Sequence, residues 1–163
     1  EGAKTKGEIK DQINTIEGML ADNKAKLATV TATNTRAAGA NRTYDVANLV
    51  DDDIESYFAT EDGVKDVSIT FEFPETQKVY YVMLQEHIAL GQRVKKFNIE
   101  TSEDGETWKA FGSSVPQTTI GYKRIIPQSG STSSYGNGVN AKYVRVSITK
   151  SKSCPVIENI ALY

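Results

Sequence analysis

The chain has 163 residues, 39% of them hydrophobic with 12 glycines besides, which is enough apolar material for one buried core and excludes a mostly disordered chain. Lysine and arginine number 19 against 21 acidic residues, so there is no basic excess for a nucleic-acid duplex, and no apolar run approaches the roughly 18–20 residues that cross a bilayer. A single cysteine, Cys154, excludes an intrachain disulfide framework, and a single histidine, His87, excludes a multi-histidine zinc site.

The opening Glu1 and the lack of a signal-peptide pattern read as a segment of a longer polypeptide. Ile9, Ile13, Ile16, Leu20 and Leu27 fall on one helical stripe, and no proline interrupts residues 4–28. Gly18 weakens that helix by roughly 1 kcal/mol without forbidding it. Residues 1–27 are therefore expected to form a connector helix whose apolar face packs on something outside the chain, or a small oligomerising helix. Residues 28–163 change texture to short strands. Val67, Ile69, Phe71 and Phe73 alternate, and Pro74 is expected to end that run by removing a donor. Residues 79–84 are continuously apolar and read as a strand buried on both faces. Phe97, Ile99 and Thr101 alternate again, then Asp104-Gly105 supplies turn chemistry, with Trp108 three residues on expected to close the end of the core. Residues 120–126, 142–149 and 156–163 are further strands, and the Ser- and Gly-dense residues 128–140 form a surface loop. About eight strands after one helix give an all-β class, a jelly-roll β-sandwich.

Three stretches go beyond generic β sequence. The first runs from Ala47-Asn48-Leu49 through Asp51-Asp52-Asp53 to Ser56-Tyr57; the second is Ser102-Glu103-Asp104-Gly105-Glu106-Thr107-Trp108. The third is Tyr143-Val144-Arg145-Val146, with Ile157-Glu158-Asn159-Ile160-Ala161-Leu162-Tyr163 at the end. In order and spacing they resemble the coagulation factor V/VIII type C, or discoidin, domain, whose signature runs A-x-x-DGD-x-x-T-x-W, S-x-DG-x-x-W, Y-V-R-V and I-x-E-I-x-V-Y. The resemblance covers about residues 27–163 and implies a discoidin-like, galactose-binding-like sandwich. Narrower stretches, residues 30–36, 84–97 and 119–125, look like motifs of the C-terminal sandwich of α-L-fucosidases.

The resemblance implies a structural Ca²⁺ in the acidic loop. Its ligands would be the Asp51 carboxylate, carbonyls near Asn48 and Asp53, Ser56, and a residue of the last strand, which here is Asn159. Hard oxygen donors of this kind suit Ca²⁺. Asp52 stands where the signature has glycine, and Asn159 where it has glutamate, so the donor set carries less charge. The alternative is a plain solvated acidic turn. Glu86, His87, Gln92 and Arg93 lie where a strand runs into a loop, the region that holds sugar in galactose-binding relatives; they either bind a sugar, or dock the domain on a catalytic neighbour or form an internal network. Tyr135, in a polar loop with little to pack against, is a further ligand candidate.

A nucleophilic mechanism lacks a second histidine, and Cys154, followed by Pro155, reads as a small buried residue. The resemblance implies the function of a non-catalytic accessory domain of a secreted, cell-surface or periplasmic glycoside hydrolase, an α-L-fucosidase first. Its partners would be a glycan ending in galactose, fucose or N-acetylhexosamine, and the parent's catalytic domain. The alternatives are a pure scaffold and the accessory domain of another glycosidase such as a hexosaminidase. Membrane-surface adhesion needs apolar spikes, for which only Tyr57 and Phe58 offer themselves; no nucleic acid and no membrane insertion are expected.

Overall fold

The computed structural model describes residues 5–10, 12–13, 22–128 and 138–163. Among them are nine strands: β1 (Thr29–Ala32), β2 (Phe58–Ala59), β3 (Val67–Val79), β4 (Tyr81–Glu86), β5 (Val94–Ser102), β6 (Lys109–Ala110), β7 (Arg124–Pro127), β8 (Val139–Ser151) and β9 (Val156–Leu162). A five-stranded sheet has the order β1-β3-β8-β5-β6, and a four-stranded sheet the order β2-β9-β4-β7. Every pairing is antiparallel. The alternating residues Val67, Ile69, Phe71 and Phe73 point inward with Phe97, Ile99, Val144, Val146 and Ile148, against Phe58, Val82, Leu84, Ile157, Ile160 and Leu162 of the other sheet. Each such side chain, once buried, stabilises the sandwich by about 1.5–3 kcal/mol.

Two strand expectations are corrected. Pro74 does not end β3, which runs on to Val79; instead the ladder to β8 shifts register between Glu72 and Gln77. A missing N–H is tolerated where a bulge already breaks the ladder. The run at 79–84 is not buried on both faces: in β4 only Val82, Leu84 and Glu86 are buried, and Tyr81 and Met83 point outward half-covered. Trp108 also leaves its expected place. It is half-buried on the outside of the five-stranded sheet, with the Arg145 guanidinium 3.8 Å from its ring centroid and Tyr143 edge-on at 6.2 Å.

Residues 6–10 and 12–13 are helical, and Ile9 and Ile13 are 46% and 49% exposed, so this part of the stripe has no cover within the described chain. Ile16 and Leu20 lie outside the described residues. The helix does not reach Leu27: a separate 3₁₀ turn (Lys24–Leu27) belongs to the sandwich, with Ala25 fully buried. Asn23 caps that turn through Ala25 N–H at 3.0 Å and also accepts the Leu162 N–H at 3.0 Å. The sandwich thus begins a few residues earlier than the texture change at 28.

Strand register sorts the loops by end. Glu86 pairs with Ile157, Val94 with Ser151, Val67 with Ile148 and Ala32 with Ile69, so the β1–β2, β2–β3, β4–β5 and β8–β9 connections share one end. Tyr81 pairs with Pro127 and Val79 with Val139, so the β7–β8 connection leaves from the other end.

Candidate functional site

At the shared end the chain brings together loops from four parts of the sequence. Glu86 ends β4 and is 1% exposed. Its Oε1 accepts the N–H groups of Arg93 and Val94, each at 2.8 Å, and its Oε2 accepts the N–H of Gly121 at 2.8 Å. The carboxylate is therefore turned into the fold and pins the start of β5 and the 121 turn. This corrects the expectation of a sugar-facing side chain. His87 is also largely enclosed, stacked on Tyr57 with ring centroids 4.5 Å apart and with Nδ1 3.4 Å from a Glu158 carboxylate oxygen. It stiffens a wall instead of lining an opening. Gln92 is exposed beside Gly121.

Arg93 alone of the four reaches a cavity. Its Nε donates to the Leu90 carbonyl at 3.3 Å, and its Nη1 to the Cys154 carbonyl at 2.9 Å. The cavity, of about 250 Å³, is lined by Arg36, Tyr44, Tyr57, Asp62, Arg93 and Cys154 among others. Arg36 pairs with Asp62 at 2.6 Å and lies over the Tyr44 ring at 5.7 Å. Planar aromatic and guanidinium groups around a small opening suit a small polar ring with a few fixed donors. Tyr135 lies outside the described residues.

Sequence reasoning missed Arg36, Tyr44, Asp62 and the pocket-lining place of Tyr57. Arg36 sat inside a recognised stretch, residues 30–36, but was read there as strand. Tyr44 and Asp62 carry no local signal, because only the docking of β2 against β9 draws their loops together.

The acidic loop stands next door. The Ser56 hydroxyl lies 2.6 Å from Asp51 Oδ2, 3.2 Å from the Asp53 carbonyl oxygen and 3.5 Å from the Asn48 carbonyl oxygen. Asp53 uses its carboxylate on the Glu55 N–H at 2.9 Å, leaving its carbonyl to the cluster. Asn48 is buried and spends its side-chain amide on the carbonyls of Thr43 at 2.9 Å and Tyr57 at 3.0 Å. Asp52 turns away to an ion pair with Lys26. On β9, Asn159 has a buried Oδ1 with no hydrogen-bond partner among the described residues. Its strand packs on the turn (Val46–Leu49) that carries Asn48, and the β2–β9 register runs it toward the residues just before β2. Among the described residues no three His, Cys, Asp or Glu side chains converge. The donors gathered here are carbonyls, one carboxylate and one hydroxyl, a set for a hard cation and not for a soft metal.

The model of the F5/8 type C domain matches residues 29–160. The chain belongs to that family. A protein of Oryza sativa subsp. japonica assigned as α-L-fucosidase 1 is 30% identical over 145 residues, 89% of this chain and 26% of the relative. A crystal structure assigned to an α-L-fucosidase of Bacteroides thetaiotaomicron superposes with a TM-score of 0.78 at 31% identity, over 91% of this chain and 30% of that one. A Clostridium perfringens module solved with GalNAc-β-1,3-galactose shares the fold, with a TM-score of 0.67 at 14% identity over 85% of this chain and 96% of its own. The chain thus spans about a quarter of the length of the curated relatives it matches. This F5/8 type C domain is a discoidin-like sandwich of two antiparallel sheets, as its strand patterning led one to expect. Among its described residues no helix is long and apolar enough to cross a membrane.

Proposed function

We propose that this F5/8 type C domain is the non-catalytic, glycan-holding accessory module of an α-L-fucosidase-type glycoside hydrolase acting outside the cytoplasm. The observation that carries the reading is the cavity at the four-loop end, where Arg36, Arg93, Tyr44 and Tyr57 converge from separate loops. Its volume of about 250 Å³ suits a terminal sugar residue and not a long oligosaccharide. Guanidinium N–H groups donate to sugar hydroxyls, and the half-buried Tyr44 ring offers apolar surface to a pyranose. Few contacts mean weak binding, on the order of −4 to −5 kcal/mol, a dissociation constant near the millimolar range. Titration with galactose, fucose and N-acetylgalactosamine, followed by backbone amide NMR, tests it. Shifts confined to residues 36–44, 57–62, 90–93 and 153–156 support the reading; no shift with any glycan sinks it.

Ca²⁺ fits the neighbouring loop. Asp51, Ser56 and the carbonyls of Asn48 and Asp53 would hold it, and Asn159 has a free amide oxygen to offer from the last strand. The ion would neutralise the loop and fix its shape, a structural role with no part in chemistry.

A second reading, docking against the parent's catalytic domain, is favoured by a different face. On the outside of the four-stranded sheet, Tyr81, Met83, Lys123, Ile125 and Tyr163 line a shallow, mostly apolar hollow of about 210 Å³. Ile125 and nearby Tyr122 are 58% and 71% exposed. The two readings use different surfaces and are compatible. Ile125→Glu would weaken the full enzyme's stability under the docking reading and leave sugar binding as it was.

A further inference from the structure

The charge around the cavity is lopsided in a way that sugar binding alone does not require. Arg36 Nη2 and Arg93 Nη1 approach the same Cys154 sulfur, at 3.3 and 3.2 Å. A thiol is a weak acceptor, so the two guanidinium groups meet without a strong counter-group between them. Arg36 spends Nε on the Thr60 carbonyl at 3.1 Å and Nη2 on Asp62, which leaves Nη1 without a hydrogen bond among the described residues. Arg93 spends Nε and Nη1 on carbonyls, which leaves Nη2 likewise. Arg93 has no carboxylate within ion-pair distance among the described residues.

The acids nearby balance Arg36 but not Arg93, so one positive charge on the cavity wall has no acidic partner among the described residues. Asp62 is engaged by Arg36 with a side chain 89% exposed, and Glu158 stands beside His87 behind the wall. Glu86 is enclosed and committed to backbone N–H groups. Two guanidinium groups with unspent N–H donors thus border an opening of about 250 Å³ that a single sugar ring fills.

We infer that the cavity takes an anionic sugar residue, its uronate carboxylate or sulfate ester held between Arg36 and Arg93 with the ring against Tyr44. This rests on the glycan-binding reading above and adds the charge class of the sugar. Each guanidinium has one unspent nitrogen, so the pair together meets two oxygens of one carboxylate or sulfate group, and such charge-assisted hydrogen bonds are about twice as strong as neutral ones. Because the cavity is open to solvent, the preference is screened by salt.

The test compares galactose, galacturonate and galactose 6-sulfate by NMR titration of the chain at low ionic strength. These probes share a ring and separate the two anion chemistries. Galacturonate, galactose 6-sulfate or both should bind about ten-fold tighter than galactose, and the advantage should shrink several-fold in about 0.5 M NaCl. Arg93→Gln should bring the anionic probes to parity with galactose, whereas Arg93→Lys, which keeps the charge but not the placed guanidinium N–H, should retain part of the preference. Amide spectra and melting temperatures of both variants check that the Cys154 loop stays folded, and Arg36→Gln repeats the test from the opposite wall if it does not. Galactose binding as tightly as both anionic probes would overturn the inference and leave the glycan reading standing. Silence from all three sugars and from fucose would overturn both.

Discussion

At position 86 a carboxylate that is 1% exposed collects three backbone N–H groups, each at 2.8 Å. Burying a charge is unfavourable unless every lone pair finds a donor, and here the donors come from two separate loops. Glu86→Gln keeps the shape but turns an NH₂ toward at least one of those N–H groups. It should cost about 1.5–3 kcal/mol in a urea denaturation experiment, against less than about 0.5 kcal/mol for exposed Gln92→Ala. Equal effects at the two positions would contradict this account. A second carboxylate is set by its neighbours in the opposite environment, at the surface. Asp104 accepts the N–H groups of Thr107 at 2.7 Å and Glu106 at 2.8 Å and the Ser102 hydroxyl at 3.0 Å. Those bonds, the one from Thr107 first, hold its pKa at about 2, below the ordinary 3.8. A group whose pKa is depressed by folding contributes stability above its unfolded pKa and loses that contribution as pH falls through its folded pKa. The melting-temperature gap between wild type and Asp104→Ala should therefore be full above about pH 5 and close between about pH 4 and pH 2. A gap independent of pH would refute it. Gly105 beside it has φ +79°, and a Cβ there would stand 3.2 Å from the Tyr143 ring, so the Asp-Gly pair is required by conformation and by space.

The acidic loop and the cavity are coupled as elements. Asn48 lends its carbonyl to the oxygen cluster while its side chain ties together the carbonyls of Thr43 and Tyr57, and Tyr57 is a wall of the cavity. A cation bound in the loop, as proposed above, would therefore fix the residues that line the opening. Ca²⁺ should raise the melting temperature as RT ln(1 + [L]/Kd) dictates, Asp51→Ala should remove that rise, and chelation should weaken sugar binding as well. Identical melting curves in chelator and in millimolar Ca²⁺ would exclude the ion. Asp52 has φ +60°, the left-handed conformation that glycine adopts freely and aspartate tolerates. The backbone thus keeps the turn that the signature's glycine serves, and the extra carboxylate is drawn off to Lys26.

For the whole molecule, the boundary of the folding unit is the testable quantity. Ile9 and Ile13 stay exposed, whereas Ala25 is in the core and Asn23 bridges a turn to the last strand. Removing residues 1–22 should leave the urea midpoint nearly unchanged. Removing residues 1–26 deletes the cap and a core methyl and should cost about 1–3 kcal/mol. Equal stability of the two truncations would show that the turn is an ornament and that the sandwich begins at 28.

The sandwich itself was legible because alternation is a local property. Val67, Ile69, Phe71 and Phe73, and the Asp104-Gly105 turn, declare strand and turn from neighbours alone, and the ordered motifs carried the family. The Asp51, Asp53 and Ser56 cluster was legible for the same reason, since all of it lies within one loop. What position 86 does was not: whether a carboxylate at a strand's end meets solvent or three N–H groups depends on where Arg93, Val94 and Gly121 come to rest. Pro74 and Trp108 were misread on the same ground, because the partner strand supplies the bulge and the Arg145 guanidinium. The cavity is the extreme case. Arg36, Tyr44, Asp62, Arg93 and Cys154 are up to 118 residues apart, and only the pairing of β9 with both β2 and β4 closes them around one opening. Sequence determined which segments alternate and turn, since those rest on contacts a few residues apart; tertiary structure decided which charges are spent and which are left to a ligand, since that rests on contacts between loops that only the closed sandwich brings together.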